Sequence, residues 1–318
     1  MITRHFFLFL LSVSSLYAQS SKTEQAKKLY ESKKYEEAKA LLKKTDEEDK
    51  EYAEAQYYLG RIAFDQKEYD DAQDYFEDAV DANDKVANYH YWLGNTYGTI
   101  AGDANPLKQG MLAPKMKSAW ETAVALDPKL IGARESLIQF YLQAPSFMGG
   151  SVDKAKAEAH QIMKLNVAQG HRALGNIYVQ EKKLTEAEKE YLEMVKADAN
   201  YTNVLGNFYI NQKQYDKAIA HFEEAVKRNP DDMNATYQIG KMSALSGQKL
   251  DRGEACLKKY LTYKPKENEP SHAGANMRLA QIQEKKSNKA EAKKLYEAAL
   301  KQDATLKEAK EGLARVSK

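Results

Sequence analysis

Two apolar patterns alternate along this chain after its first twenty residues. In one, apolar and small positions fall at i, i+1 and i+4, as in Leu205, Gly206 and Tyr209, or Leu174, Gly175 and Tyr178. In the other, small and aromatic positions fall at i, i+4 and i+7, as in Ala218, Phe222 and Ala225, or Ala72, Phe76 and Ala79. Either spacing puts its residues on one face of an α-helix. The chain therefore predicts helix pairs in which Gly and Ala let two backbones approach while aromatics fill the wider gaps beside them. One pair cannot bury its apolar face alone, so neighbouring pairs must stack.

The unit returns at a steady interval: Gly175 and Gly206 are 31 residues apart, Gly206 and Gly240 are 34 apart. A period near 34 with these residue types resembles the tetratricopeptide repeat family. The resemblance implies an all-α fold, a right-handed superhelical solenoid of about eight helix-turn-helix repeats over 19–318. The spacing places repeats at 21–48, 53–86, 87–130, 131–167, 168–198, 199–232, 233–266 and 273–305. A last helix at 305–317 has Leu306, Ala309, Leu313 and Val316 on one stripe and charged residues on the other, as a solvated cap on a solenoid end requires.

The first residues differ in kind. Arg4 and His5 precede the run Phe6–Leu11, and small and polar residues lead to Leu16-Tyr17-Ala18 before Gln19. That order predicts a secretory signal peptide over 1–18, with an uncleaved N-terminal anchor as the competing reading, for which the apolar run is short. The expectation is an exported bacterial protein, periplasmic or secreted, with no transmembrane span after cleavage, since no later stretch is apolar for eighteen residues. The single cysteine, Cys256, allows no internal disulfide.

Composition narrows the function. Charged residues make up 30% with both signs interspersed and a formal net charge of +2, so no field suited to nucleic acid is expected. Most of the 21 tyrosines fall at repeat positions and read as packing residues. The six histidines make no His-Glu-x-x-His or Cys/His arrangement, so no metal site or cofactor is predicted. His90 and His171 share a repeat position, which suggests stacking between helices. No nucleophile elbow and no P-loop occurs, and the reading is a non-enzyme.

The repeat is broken twice. Gly94 precedes Pro128 by 34 residues where Gly206 precedes Pro230 by 24, so ten extra residues lie within 98–115. A second insertion occupies 144–151. Both are predicted as inter-helix loops emerging side by side on one edge, and both are apolar, with Met111, Leu112, Phe147 and Met148 as candidate contacts. The loops either cover each other or contact a ligand or partner. Gly149-Gly150-Ser151 either offers backbone N–H groups to an anion or simply places Ser151 as a helix N-cap.

In the repeat family the first helices line a concave surface. Transferred by position, the resemblance nominates Tyr91, Asn95, Arg172, Asn176, Asn203, Asn207, Tyr237 and Lys241 as a partner-binding groove. Asn side chains there suit a peptide backbone, offering both donor and acceptor. The expected function is a scaffold binding a protein or peptide, an adaptor or assembly factor in the cell envelope. The alternative is an accessory small-ligand-binding protein of an envelope transport system, using the 98–115/144–151 edge.

Overall fold

The structure, a computed structural model, describes residues 21–318; the expected signal peptide at 1–18 lies outside the described residues. The described residues contain 17 α-helices and no strand, eight successive pairs and a final helix. They divide into two compact units meeting between Glu158 and Ala159. The first unit holds α1 (Lys22–Glu31), α2 (Tyr35–Leu42), α3 (Tyr52–Asp65), α4 (Tyr69–Ala82), α5 (Ala87–Gly102), α6 (Pro106–Leu126), α7 (Ile131–Gln143) and the start of α8 (Val152–Leu165). The second holds the rest of α8, then α9 (Val167–Gln180), α10 (Leu184–Ala197), α11 (Thr202–Asn211), α12 (Tyr215–Arg228), α13 (Met233–Ser246), α14 (Leu250–Leu261), α15 (His272–Lys285), α16 (Lys289–Gln302) and α17 (Lys307–Val316). The architecture is an α-solenoid of stacked helix pairs.

Within a pair, the glycine of the first helix sits under a ring of the second. A Cβ on Gly60 would lie 2.8 Å from Phe76, on Gly94 2.6 Å from Trp120, on Gly175 2.5 Å from Tyr191 and on Gly206 2.1 Å from Phe222. All four rings are buried, each contributing about 1.5–3 kcal/mol by the apolar area it removes from water. Between pairs, a tyrosine of one first helix donates to a glutamate of the preceding second helix. Tyr97 reaches Glu77 at 2.6 Å, Tyr141 reaches Glu121 at 3.0 Å and Tyr209 reaches Glu188 at 3.0 Å. The tyrosine excess thus serves both the core and the register of stacking.

The tight turns inside five pairs share one device. Lys33, Lys67, Lys182, Lys213 and Ser287 all have φ between 56° and 65°. The next residue's N–H then bonds a carbonyl five positions back, as Glu68 does to Ala63 at 2.9 Å and Gln214 to Tyr209 at 2.8 Å. This closes the first helix in a Schellman motif, where glycine is usual. A side chain in the left-handed region costs about 1–2 kcal/mol.

The predicted loop at 98–115 is instead helix. α5 continues to Gly102, and α6 starts at Pro106 with Asn105 as its cap, accepting from the Lys108 N–H at 3.0 Å. The apolar residues that suggested a sticky loop are core: Ile100, Ala101 and Leu112 are buried with Phe76, Leu93 and Tyr97. The ten extra residues lengthen the helical hairpin, with Pro114 inside α6.

The second insertion is a short irregular link, with a 3-10 turn at Ser146–Met148. Gly149 has φ 97°, and a Cβ on Gly150 would fall 1.8 Å from the Ala144 carbonyl oxygen, so both glycines are sterically required. The N–H groups of Gly149, Gly150 and Ser151 donate to the carbonyls of Ser146, Pro145 and Tyr141. None is left for an anion. Ser151 caps α8, accepting from Lys154 N–H at 3.3 Å.

Candidate functional site

The nominated groove residues fall in both units. In the second, α9 carries Arg172 and Asn176 and α11 carries Asn203 and Asn207. Asn176 and Asn207 are exposed, Arg172 and Asn203 half-buried. The Arg172 guanidinium lies 5.8 Å from the ring centre of Tyr201, one residue before α11, which links the two helices on this face. The Asn176 carbonyl oxygen accepts from the Tyr191 hydroxyl at 2.7 Å. In the first unit Asn95 does the same for Trp120, whose indole N–H donates to it at 2.9 Å, and Ser136 adds a bond at 3.3 Å. At Asn95 and Asn176 the Asn after the repeat glycine holds the ring of its own pair, and its side-chain oxygen is already committed.

Tyr91 is half-buried with its hydroxyl over Gly132, where a Cβ would lie 2.7 Å away. Tyr237 is buried and tilted against Tyr260, ring centres 5.1 Å apart; it packs, and burial pushes its hydroxyl pKa up. It therefore does not line an open face as the sequence suggested. Lys241 is half-buried, and burial followed by the charge of Arg278 holds its ammonium below the usual range. Arg278, on α15, is buried and forks onto Glu308 of α17 at 2.6 and 3.1 Å. That bond is the main cause of a lowered Glu308 carboxyl pKa. Sequence reasoning missed Arg278; an arginine set directly between the apolar Met277 and Leu279 was the available signal.

It also missed Arg61. This side chain donates to the hydroxyls of Tyr57 at 2.9 Å and Tyr30 at 2.8 Å. Its guanidinium carbon lies 3.8 Å from the ring centre of Trp92, and the Tyr30 hydroxyl donates in turn to the Asp65 carboxylate at 2.9 Å. Arg61 thus ties α1, α3 and α5 together through an aromatic box. The two histidines expected to stack are hydrogen-bonded instead: His90 to the Asp84 carbonyl at 2.8 Å and His171 to Glu190 at 2.7 Å. Cys256 is buried, and burial raises its thiol pKa. Among the described residues no group of three or more His, Cys, Asp or Glu is placed to hold a metal ion, and no helix is long and apolar enough to cross a membrane.

The lengthened hairpin of α5 and α6 encloses, with α7 and the link after it, a cleft of about 540 Å3. α5 contributes Gly98, Ala101 and Gly102; α6 contributes Gly110, Ala113 and Trp120; α7 contributes Ser136, Gln139 and Gln143. Of the four loop-edge candidates, Met148 lines the cleft, while Met111 and Phe147 are exposed beside it. Leu112 faces away, buried in the core between α4, α5 and α6, so it is no ligand contact.

Family models for the tetratricopeptide repeat match residues 29–94, 202–232 and 242–307, together just over half of the chain. The chain belongs to the tetratricopeptide repeat family. Proteins of this family are generally non-catalytic scaffolds for protein interaction. No curated protein matches the chain. Among solved structures, a tetratricopeptide repeat protein from Parabacteroides merdae ATCC 43184 is 16% identical, with 93% of this chain and 98% of that one covered and a TM-score of 0.41. MamA is 19% identical over 56% of this chain and 96% of its own, TM-score 0.45. YrrB, described as a TPR protein with an unusual peptide-binding site, is 20% identical over 61% and 96%, TM-score 0.41.

Proposed function

We propose that this tetratricopeptide repeat protein is a non-enzymatic scaffold that holds a protein or peptide partner on the face formed by α9 and α11, as an adaptor or assembly factor in the cell envelope. The observation that carries the reading is the arrangement of Arg172, Asn176, Asn203 and Asn207 on two consecutive first helices, with Asn176 and Asn207 exposed. Arg172 is the only fixed charge of the four, and its guanidinium fork suits a carboxylate or backbone carbonyl. A pull-down from envelope extract supplies the partner. Arg172→Glu then weakens its binding by about 2 kcal/mol or more, the size of a lost charge-assisted contact, while leaving the helical content unchanged. A partner that binds the variant as well as wild type removes the α9–α11 face from consideration.

The cleft in the first unit supports a second reading, a carrier of a small uncharged ligand for an envelope transport system. Its volume, about 540 Å3, lies in the range of small-molecule sites. Protection of the protein against thermal unfolding by such a ligand, lost in a variant with the cleft filled, is the measurement that selects it.

A further inference from the structure

We infer that the cleft between the α5–α6 hairpin and α7 receives an extended, uncharged, apolar segment of a partner polypeptide. This rests on the scaffold reading and assigns it a second contact surface, separate from the α9–α11 face.

Charge argues for a neutral occupant. Of all amino acids in the chain 30% are charged, yet no charged side chain lines the cleft. Space argues for a backbone. Gly102 ends α5 and Gly110 lies inside α6, and a Cβ at either would meet nothing within 4 Å. The ring-covered glycines of the repeat are forced by packing; these two are not. Glycine is the poorest helix former after proline, and here its effect is to leave the wall of the cleft open to close approach.

Hydrogen bonding argues for a polypeptide over a hydrocarbon chain. Gln139 and Gln143 line the cleft one turn apart on α7 and are exposed. At 1.5 Å per residue their spacing along the helix is about 6 Å. An extended chain presents the same edge every two residues, about 6.6–6.8 Å. The two amides, each with its donors and its acceptor, thus meet peptide groups two residues apart on one strand. An acyl chain would strip water from both amides and return no hydrogen bond.

The rim fits the alternation of an extended chain. Phe147 at 87%, Leu107 at 76% and Met111 at 67% are the most exposed large apolar side chains among the described residues, the next being Val167 at 52%. Each adjoins a lining residue: Met148, Pro106 and Gly110 respectively. An exposed apolar cluster of this kind marks a contact surface. One set of the occupant's side chains points inward to Trp120 and Phe140, and the alternate set meets this rim.

The test uses the full chain and a panel of blocked nonapeptides that alternate valine or leucine with serine or threonine, followed by calorimetry. Control peptides carry glutamate or lysine at the apolar positions, and a fluorescent fatty-acid analogue serves as a small apolar probe. At least one neutral peptide is expected to bind. Gly110→Leu fills open space without strain and raises its Kd tenfold or more, as does Gln139→Ala combined with Gln143→Ala. The charged controls bind at least tenfold more weakly, and Arg172→Glu leaves peptide binding unchanged. The inference is overturned if no panel member binds, if Gly110→Leu binds as wild type does, if charged controls bind equally, or if only the fatty-acid probe occupies the cleft. The last outcome selects the small-ligand reading. Any of these together with partner loss in Arg172→Glu leaves the scaffold reading standing; a peptide lost only on filling the cleft, with Arg172→Glu neutral toward the envelope partner, removes the α9–α11 face alone.

Discussion

Trp120 donates its indole N–H to the Asn95 side-chain oxygen at 2.9 Å, while its ring covers Gly94 one residue earlier on α5. A single side chain therefore fixes how the lengthened α6 lies on α5. Trp120→Ala is expected to lower stability by about 3–5 kcal/mol, the range for a buried aromatic. Asn95→Ala leaves the ring in place but strands its N–H, at about 1–3 kcal/mol. Denaturant unfolding followed by circular dichroism measures both, and a Trp120→Ala cost below about 1 kcal/mol would contradict the packing described.

Two glycines in equivalent-looking helices should respond in opposite directions to alanine. A Cβ on Gly206 falls 2.1 Å from Phe222, so Gly206→Ala overpacks and costs about 1–3 kcal/mol. A Cβ on Gly110 meets nothing, so Gly110→Ala gains about 1 kcal/mol of helix propensity. Melting temperatures shifted in the same direction by both substitutions would show that packing does not separate them.

Arg61 cannot be exchanged for lysine without loss. Its fork reaches two tyrosine hydroxyls while its plane lies over Trp92, a combination that an ammonium does not reproduce. Arg61→Lys is expected to cost about 1–2 kcal/mol and to move the tryptophan emission, because Trp92 loses the planar guanidinium that lies over its ring. Unchanged emission and unchanged stability in the same variant would remove the aromatic box as a tie between the first three helix pairs.

The Glu254 carboxylate accepts from Lys258 and Lys286, each at 2.7 Å. These bonds lower its pKa from 4.5 to about 2. A depressed carboxyl pKa contributes stability that is fully present above the unfolded value and is lost as pH falls through the folded value. Glu254→Gln should therefore be less stable than wild type at pH 6, and the gap should close as pH drops from about 4.5 towards 2. Thermal melts across that range check it; a gap independent of pH would mean that the two lysines do not hold the charge.

The helical pairs were legible because their signal is local. Gly206 with Tyr209, or Ala218 with Phe222, states its own periodicity, and Gly60, Gly175 and Gly206 each meet an aromatic 16 residues further along the chain. The insertion at 98–115 reads as a loop for the same reason. Ile100 and Leu112 look out of place as loop residues, and only their burial against Phe76 and Leu93 makes them helical core. By repeat position Asn95 and Asn176 read as binding residues, although a ring of the partner helix occupies each oxygen.

The sequence by itself determined the class of this protein: a period near 34 residues, set by small and aromatic positions that must meet across a helix pair, admits one kind of stacked helical architecture. Tertiary structure alone decided the rest. It buried Tyr237 and Leu112, drew Arg61 into its aromatic box and Arg278 onto Glu308, and opened a cleft where Gly102 and Gly110 have no neighbour. These outcomes depend on residues from different repeats meeting in space, and the order of residues along one helix records no such distance.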